Sequence, residues 1–176
     1  MLINPRYAFD QGWIKGLKDP DKQIQPNAID FTLDKMFYIG SRTVFILSES
    51  QKQMHESIKM EATTTIEGQN FWRLDKGDVC DGMSDVYVEV PVGVAAKLII
   101  RSTLNRNGIF LTSGLYDAGF KGNLGFILHN RAGEAYLAPG TRVGQIEFYK
   151  SDSEGLYSGG YNTKEGEHWK NKGKKE

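Results

Sequence analysis

Three short segments of the sequence group side chains that can bind phosphate or act on water. The first, residues 101–106, reads RSTLNR and follows an apolar run. Arginine presents a planar fork of donors, and serine and threonine hydroxyls add further donors, so these residue types suit phosphate oxygens. Taken by itself, the segment has a second interpretation as a solvated turn.

The second segment, residues 113–123, holds three glycines and a single acid, Asp117. It lies between the apolar runs 109–112 and 124–128, which predicts a β-hairpin whose glycines let the backbone approach a ligand. An aspartate is ionised at neutral pH and can accept a proton from water. The alternative role for Asp117 is that of a turn residue that caps its own backbone.

The third segment, residues 140–145, reads GTRVGQ and leads into another apolar run. It combines an arginine with a glutamine, and both can donate hydrogen bonds to an anion. An ordinary turn and strand with an exposed arginine is the alternative interpretation.

Other common signatures of chemistry do not occur. The histidines His55, His129 and His168 lack the spacing of metal ligands, so we interpret them as surface or packing residues. The single cysteine, Cys80, cannot form an internal disulfide, and a reducing cytoplasm is the simplest setting for it. Neither the phosphate-binding loop nor the dinucleotide-binding glycine pattern is found.

Alternating apolar and polar residues predict the strands that must position these segments. Residues 29–33 and 86–90 alternate, and the apolar residues between 58 and 66 share one parity, as expected for strands with one buried face. Turn signals rich in glycine, asparagine and proline separate the runs. The chain is therefore predicted to be all-β, an antiparallel β-sandwich or distorted jelly roll.

One short helix is predicted before these strands. Phe9, Trp13 and Leu17 repeat every four residues and so share one face of a helix over residues 7–17. Residues 1–150 as a whole are predicted to form a single β domain.

From Ser151 onwards the composition becomes polar and rich in lysine, which predicts a mobile tail over residues 151–176. Tyr157, Tyr161 and Trp169 stand in this tail without a core to fill. Such aromatic side chains can stack on a base once a ligand orders the segment.

The overall composition excludes some classes of partner. The 176 residues carry 22 basic and 22 acidic side chains, so the net charge is zero and gives no long-range attraction to nucleic acid. No apolar run is long enough to span a bilayer, and the first residues lack the pattern of a signal peptide. We expect a cytoplasmic protein with neither a nucleic-acid nor a membrane partner.

Taken in order, four segments resemble the motif series of the dUTPase / dCTP deaminase superfamily. Residues 23–33 (QIQPNAIDFTL) resemble the first motif in the form typical of the deaminase branch, and residues 101–106 resemble the phosphate motif. Residues 113–122 resemble the hairpin that reads the base, and residues 140–145 resemble the fourth motif. The resemblance covers roughly residues 1–150, whereas the tail matches the family's C-terminal flap only loosely.

The resemblance implies a homotrimer with active sites shared between subunits, and it implies a role for each matched residue. Asp117 would hold and deprotonate the attacking water. Mg²⁺ would be the cofactor, held mainly by the phosphates of the substrate rather than by protein ligands. The remaining matched residues would bind phosphate (Arg101, Ser102, Thr103, Arg106 and Gln145) or the base and sugar (Ser113, Gly114, Leu115, Tyr116 and Phe120), with the base edge read by backbone groups around residues 114–116.

Two positions separate the branches of this family. Deaminating members carry a glutamate that works on the cytosine ring where this chain has Ile127, and a histidine where it has Gly114. Because isoleucine cannot carry a proton, hydrolysis of dUTP to dUMP and pyrophosphate is the favoured activity. A dCTP/dUTP pyrophosphatase, a dCTP deaminase and a nucleotide-binding regulatory protein remain alternatives, the last because residues 48–85 are long enough to offer an added partner surface.

Overall fold

The computed structural model describes residues 1–40 and 42–171 of the chain. Helices are few and short: α1 Pro5–Asp10, α2 Pro20–Gln23, α3 Ser102–Arg106 and a 3₁₀ turn over Trp169–Asn171. The strands are β1 Ile14–Lys15, β2 Ile29–Thr32, β3 Lys35–Ile39, β4 Ile46–Leu47, β5 Lys52–Gln53, β6 Ser57–Lys59, β7 Thr64–Ile66, β8 Gln69–Leu74, β9 Val79–Glu89, β10 Val94–Ile100, β11 Ile109–Thr112, β12 Lys121–Asn130, β13 Ala135–Leu137 and β14 Arg142–Lys150. None of the helices within the described ranges has the length and apolar character needed to cross a membrane.

Two antiparallel sheets carry the architecture. The larger runs in the order β11-β12-β9-β3-β6, with β1 added against β9, and the second runs β10-β14-β2. Smaller sheets join β13, β8 and β7, and β4 with β5. Because all of these pairings are antiparallel, the predicted all-β antiparallel fold is confirmed.

The two main sheets meet through aromatic side chains for which glycines leave room. Phe31 of β2 packs on Phe126 of β12, with ring centroids 5.1 Å apart. A Cβ atom on Gly144 would lie 2.3 Å from the ring of Phe31, and one on Gly82 would lie 2.4 Å from the ring of Phe126. Glycine at these two positions therefore lets the rings lie flat against the neighbouring strands and close the core.

The N-terminal helix is shorter than its periodicity predicts. It ends at Asp10, and after Gly12, which has a left-handed φ of 72°, the chain continues as β1 against β9. The prediction of a helix over residues 7–17 is therefore wrong beyond Asp10, because glycine ends the helix. Phe9, Trp13 and Leu17 nevertheless pack against the core. Their apolar character correctly indicated burial, whereas their four-residue spacing did not indicate a helix over the whole range.

A single long strand over residues 58–66 is not formed either. The segment divides into β6 and β7, and Ile58 and Ile66 at its two ends are exposed. Only Met60 between them is fully buried. The shared parity nevertheless identified the less exposed face, because Met60, Ala62 and Thr64 are buried or half-buried whereas residues 59, 61, 63 and 65 are exposed.

Candidate active site

A pocket of about 400 Å³ opens beside the hairpin that joins β11 to β12. All five residues that the sequence assigned to base and sugar binding line it: Ser113, Gly114, Leu115, Tyr116 and Phe120. Strand β12 contributes Asn123, Gly125, Phe126 and Ile127 to the same wall. The turn glycines and the apolar runs on either side thus bring the predicted base-binding residues to one cavity.

Tyr116 is buried at the base of this hairpin, and its polar groups all have partners. Its backbone N–H donates to the carbonyl of Ala96 at 2.8 Å, and its carbonyl accepts from the amide of Ala96 at 2.9 Å. Its hydroxyl donates to the carbonyl of Gly125 at 2.7 Å and accepts from the amide of Gly125 at 3.1 Å. Burial raises the pKa of this phenol above its ordinary value. The backbone of Tyr116 is therefore not free to read a base edge, which leaves Gly114 and Leu115 for that part of the prediction.

Aromatic rings form much of the remaining wall. Phe120 meets Tyr116 edge to face, with centroids 4.8 Å apart, and lies 5.9 Å from the ring of Tyr157. Such a flat, apolar surface can contact a sugar or base ring, and it offers no hydrogen-bond partner to a hydroxyl group.

Asp117, the predicted catalytic residue, is exposed next to the pocket and does not form part of its lining. Its backbone carbonyl accepts from the amide of Phe120 at 3.0 Å, which closes the turn. Its carboxylate accepts no hydrogen bond from the residues that the structure describes, so the self-capping role is not formed. The carboxylate is thus open to water.

The predicted phosphate-binding residues lie elsewhere in this chain, and none of them lines the pocket. Asp30, which is almost fully buried, holds two of them: its Oδ1 accepts from Gln145 at 2.8 Å, and its Oδ2 lies 3.6 Å from Nε of Arg101. Arg142 donates to the same Oδ2 at 3.0 Å. Ser102, Thr103 and Arg106 are exposed on α3. Within a single chain, the predicted phosphate-binding residues therefore lie apart from the base pocket.

The described part of the C-terminal tail packs against the hairpin and β12. The amide of Tyr157 donates to the carbonyl of Ala118 at 2.6 Å, and the amide of Gly166 donates to Oδ1 of Asn123 at 2.7 Å. The three tail aromatics, Tyr157, Tyr161 and Trp169, all line the pocket. Mobility of residues 151–176 stays a prediction, and residues 172–176 lie outside the described part of the chain.

An acidic residue that sequence reasoning missed also lines the pocket. Asp81 of β9 is 5% exposed, and its Oδ2 lies 3.2 Å from Nε2 of His168, which is 6% exposed. The imidazole stacks on Phe37 at 4.1 Å between ring centroids. His168 was interpreted as a surface or packing residue; it packs on Phe37, and it also reaches the pocket and lies against a buried carboxylate. The available signal for Asp81 was an acid within a mostly apolar strand, since acidic residues are almost never fully buried without a partner.

Within residues 1–40 and 42–171, no three histidine, cysteine, aspartate or glutamate side chains group closely enough to hold a metal ion. The expectation that Mg²⁺ is held mainly by substrate phosphates therefore stays a prediction.

Residues 8–151 match the family model described as dCTP deaminase-like, so the chain belongs to the dCTP deaminase-like family. The predicted membership of the dUTPase / dCTP deaminase superfamily is thereby confirmed.

Relatives of both activities are found at similar identity. A probable deoxyuridine 5′-triphosphate nucleotidohydrolase of Methanothermobacter thermautotrophicus is 30% identical over 81% of this chain and 90% of its own length. A dUMP-forming dCTP deaminase of Dictyoglomus thermophilum is 33% identical over 80% of this chain and 73% of its own length. The chain therefore belongs to an enzyme family that acts on deoxynucleotides, and these identities do not separate the two activities.

The fold has a counterpart among solved structures. The 2′-deoxycytidine 5′-triphosphate deaminase of Agrobacterium tumefaciens superposes with a TM-score of 0.62 at 19% identity, over 84% of this chain and 47% of the other. This similarity supports the β architecture alone.

Proposed function

We propose that this chain hydrolyses dUTP to dUMP and pyrophosphate. The observation that carries the proposal is the grouping of the five base and sugar candidates around one pocket, with the unpaired carboxylate of Asp117 on the adjoining turn. The family of the chain and its relative named as a probable deoxyuridine 5′-triphosphate nucleotidohydrolase support the same activity.

In this proposal the reaction is an in-line displacement at the α-phosphorus. Asp117 holds a water molecule and takes its proton as the oxygen attacks, and pyrophosphate leaves from the opposite side. A positioned general base of this kind supplies about 10²–10⁴-fold in rate. Mg²⁺ bound to the triphosphate would neutralise charge on the departing pyrophosphate.

The sugar is selected by the ring of Phe120. A ribose 2′-hydroxyl placed against this buried ring would lose its hydrogen bonds to water and find none in exchange. We therefore expect a preference for deoxynucleotides over ribonucleotides.

The phosphates are bound by a second subunit. Arg106, Ser102 and Thr103 are exposed and do not line the pocket of their own chain, so in a homotrimer they are available to the pocket of a neighbour. Arg101 and Gln145 are both held by Asp30. We expect them to support the phosphate-binding surface and also to contact phosphate.

The proposal is tested by incubating the purified protein with each deoxynucleoside triphosphate and Mg²⁺ and measuring pyrophosphate release. We expect release from dUTP, and a fall of about 10²–10⁴-fold for Asp117→Asn. Asp10→Asn, at an exposed position in α1, serves as the matched control and leaves the rate unchanged. An Asp117→Asn variant with the wild-type rate, or a protein that binds dUTP tightly without turnover, would remove the proposal.

Sharing of the site between subunits is tested by mixing two inactive variants. Arg106→Ala lacks a phosphate contact and Asp117→Asn lacks the base, and each is expected to be inactive alone. The two variants are then unfolded and refolded together in equal amounts. Because subunits associate at random in a symmetric oligomer, about a quarter of the sites should combine an intact Asp117 from one subunit with an intact Arg106 from another. No recovery of activity would show that each site uses one chain only.

A further inference from the structure

The C-terminal segment, residues 157–170, is attached to the pocket by a buried pair of side chains. His168 is 6% exposed, and its Nε2 lies 3.2 Å from Oδ2 of Asp81, which is 5% exposed. The Nδ1 atom of His168 accepts from the amide of Lys170 at 3.4 Å, so Nε2 is the donor toward the carboxylate. Because hydrogen bonds to a charged group are among the stronger ones in proteins, this pair ties the segment to β9.

The main sheet provides a slot for the imidazole of His168. Phe37 of β3 and Asp81 of β9 lie directly opposite each other on neighbouring strands, so their side chains point to the same side of the sheet. The imidazole stacks on the ring of Phe37, with ring centroids 4.1 Å apart and an interplanar angle of 29°. An aromatic face and a carboxylate therefore bind the same ring, and both belong to this chain.

Backbone hydrogen bonds attach the same segment to β12. The amide of Thr163 donates to the carbonyl of Lys121 at 2.9 Å, and the amide of Lys121 donates to Oδ1 of Asn162 at 2.9 Å. The amide of Gly166 donates to Oδ1 of Asn123 at 2.7 Å. These contacts hold the segment along the strand that contributes one wall of the pocket.

The β4–β5 hairpin and the residues that follow it form a second anchor. Nζ of Lys170 donates to the carbonyl of His55 at 2.7 Å, and Nζ of Lys52 lies 5.2 Å from the ring centroid of Tyr161. The rings of Tyr161 and Trp169 meet edge to face, with centroids 5.2 Å apart. Burial lowers the pKa of Lys170 below its ordinary value, as expected for an ammonium group that is partly removed from water. This region thereby fixes two aromatic residues that line the pocket.

We infer that Asp81, His168 and the β4–β5 hairpin form a latch that keeps residues 157–170 closed over the pocket, and that nucleotide enters only when this latch opens. The inference concerns regulation of the same site and rests on the proposed function for the identity of the nucleotide. It opposes the expectation of a mobile tail, because contacts within the chain close the segment without a base on which its aromatic side chains can stack.

A closed latch slows the binding of nucleotide. When a binding-competent state is populated for only a fraction of the time, the observed association rate constant falls in proportion to that fraction. Loss of a hydrogen bond to a charged group shifts such an equilibrium by about 10–100-fold. His168→Ala should therefore raise the association rate constant, whereas a segment that only retains bound nucleotide would change the dissociation rate constant instead.

The latch itself is tested by amide hydrogen exchange of the protein alone. The amides of Thr163 and Gly166 should exchange slowly in the wild type and about tenfold faster or more in His168→Ala and in Asp81→Ala. Lys164→Ala, at an exposed position of the same segment, is the control and should exchange like the wild type. Because the two side chains act as a pair, the double variant should exchange no faster than either single variant.

Two results of this measurement would overturn the inference. One is equal exchange of these amides in the wild type and His168→Ala. The other is an additive effect in the double variant, which would mean that the two side chains act separately. Should Asp81→Ala not fold, His168→Ala decides the matter, since it changes only the C-terminal segment.

Control of entry is tested by stopped-flow mixing with Mg²⁺ and a non-hydrolysable α,β-imido analogue of dUTP. We expect an association rate constant about tenfold higher or more for His168→Ala than for the wild type, and an unchanged value for Lys164→Ala. An association rate constant that does not rise in His168→Ala overturns the inference. Failure of all these proteins to bind the analogue overturns the proposed function, and the exchange measurement then still decides whether the latch exists.

Discussion

The hydroxyl of Tyr116 exchanges two hydrogen bonds with the backbone of Gly125, donating to its carbonyl at 2.7 Å and accepting from its amide at 3.1 Å. The hydroxyl of Tyr116 thus binds both the amide and the carbonyl of Gly125, which lines the pocket. Since Gly125 has no side chain, its backbone is otherwise open to whatever enters the cavity. Tyr116 therefore limits which polar groups of β12 a ligand can reach.

Removing this hydroxyl should destabilise the protein. Tyr116→Phe leaves the amide and carbonyl of Gly125 without partners, and we expect the free energy of unfolding to fall by about 1–3 kcal/mol. Tyr136→Phe is the control, because the hydroxyl of Tyr136 binds Glu134 on the surface and its loss costs little. Denaturant titration of the three proteins measures both changes, and equal stability of Tyr116→Phe and wild type would contradict the role of the hydroxyl.

Asp30 should be among the most sensitive positions outside the pocket. Asp30→Asn leaves the guanidinium groups of Arg101 and Arg142, each about one-third exposed, beside a neutral and buried side chain. We expect a loss of about 1.5–3 kcal/mol in the free energy of unfolding, because hydrogen bonds to a charged group are lost. Asp21→Asn removes only a 3.8 Å ion pair of an exposed carboxylate with Arg6, so its effect should stay below about 0.5 kcal/mol. Similar losses of unfolding free energy in the two variants would contradict the stabilising role of the Asp30 carboxylate.

Local sequence patterns predicted the hairpin, whereas they did not predict contacts between side chains that are far apart in the sequence. Strand β11 begins and ends where its apolar run does, and Gly114 and Gly119 lie in the turn that follows it, whereas Gly122 belongs to β12. Both signals depend on neighbours in sequence. The pair of Asp81 and His168 spans 87 residues, and Asp30 meets Gln145 across 115 residues. No periodicity encodes such contacts, because only the strand order and the path of the tail bring those residues together.

The pH dependence of stability should reveal the ion pairs that join β9 to β1 and β12. Hydrogen bonds from Lys15, and next from Lys121, lower the pKa of Glu89 below its ordinary value of 4.5. The stabilisation is present above that value and is lost as the pH falls through the lowered folded-state pKa. Glu89→Gln should lower Tm by up to about 2–4 °C at pH 7 and by less in acid. A difference between the two melting curves that grows as the pH falls would contradict this sign.

Cys80 should be unreactive in the folded protein. Burial, and then the nearby carboxylates of Asp78 and Asp81, raise the pKa of the thiol to about 12. At pH 8 the thiolate fraction is then about 10⁻⁴, so alkylation should be about a thousandfold slower than for a free cysteine. Iodoacetamide labelling followed by mass spectrometry measures the rate, with protein unfolded in guanidinium chloride as the control. Equal labelling of folded and unfolded protein would show that the thiol is accessible.

The origin of the oxygen added during hydrolysis tests the proposed reaction most directly. When dUTP is turned over in water enriched in ¹⁸O, attack by water on the α-phosphorus transfers the label to dUMP. Mass spectrometry should therefore find one ¹⁸O in dUMP and none in the pyrophosphate. Label in the pyrophosphate, with unlabelled dUMP, would mean that water attacks the β-phosphorus and would contradict the mechanism assigned to Asp117.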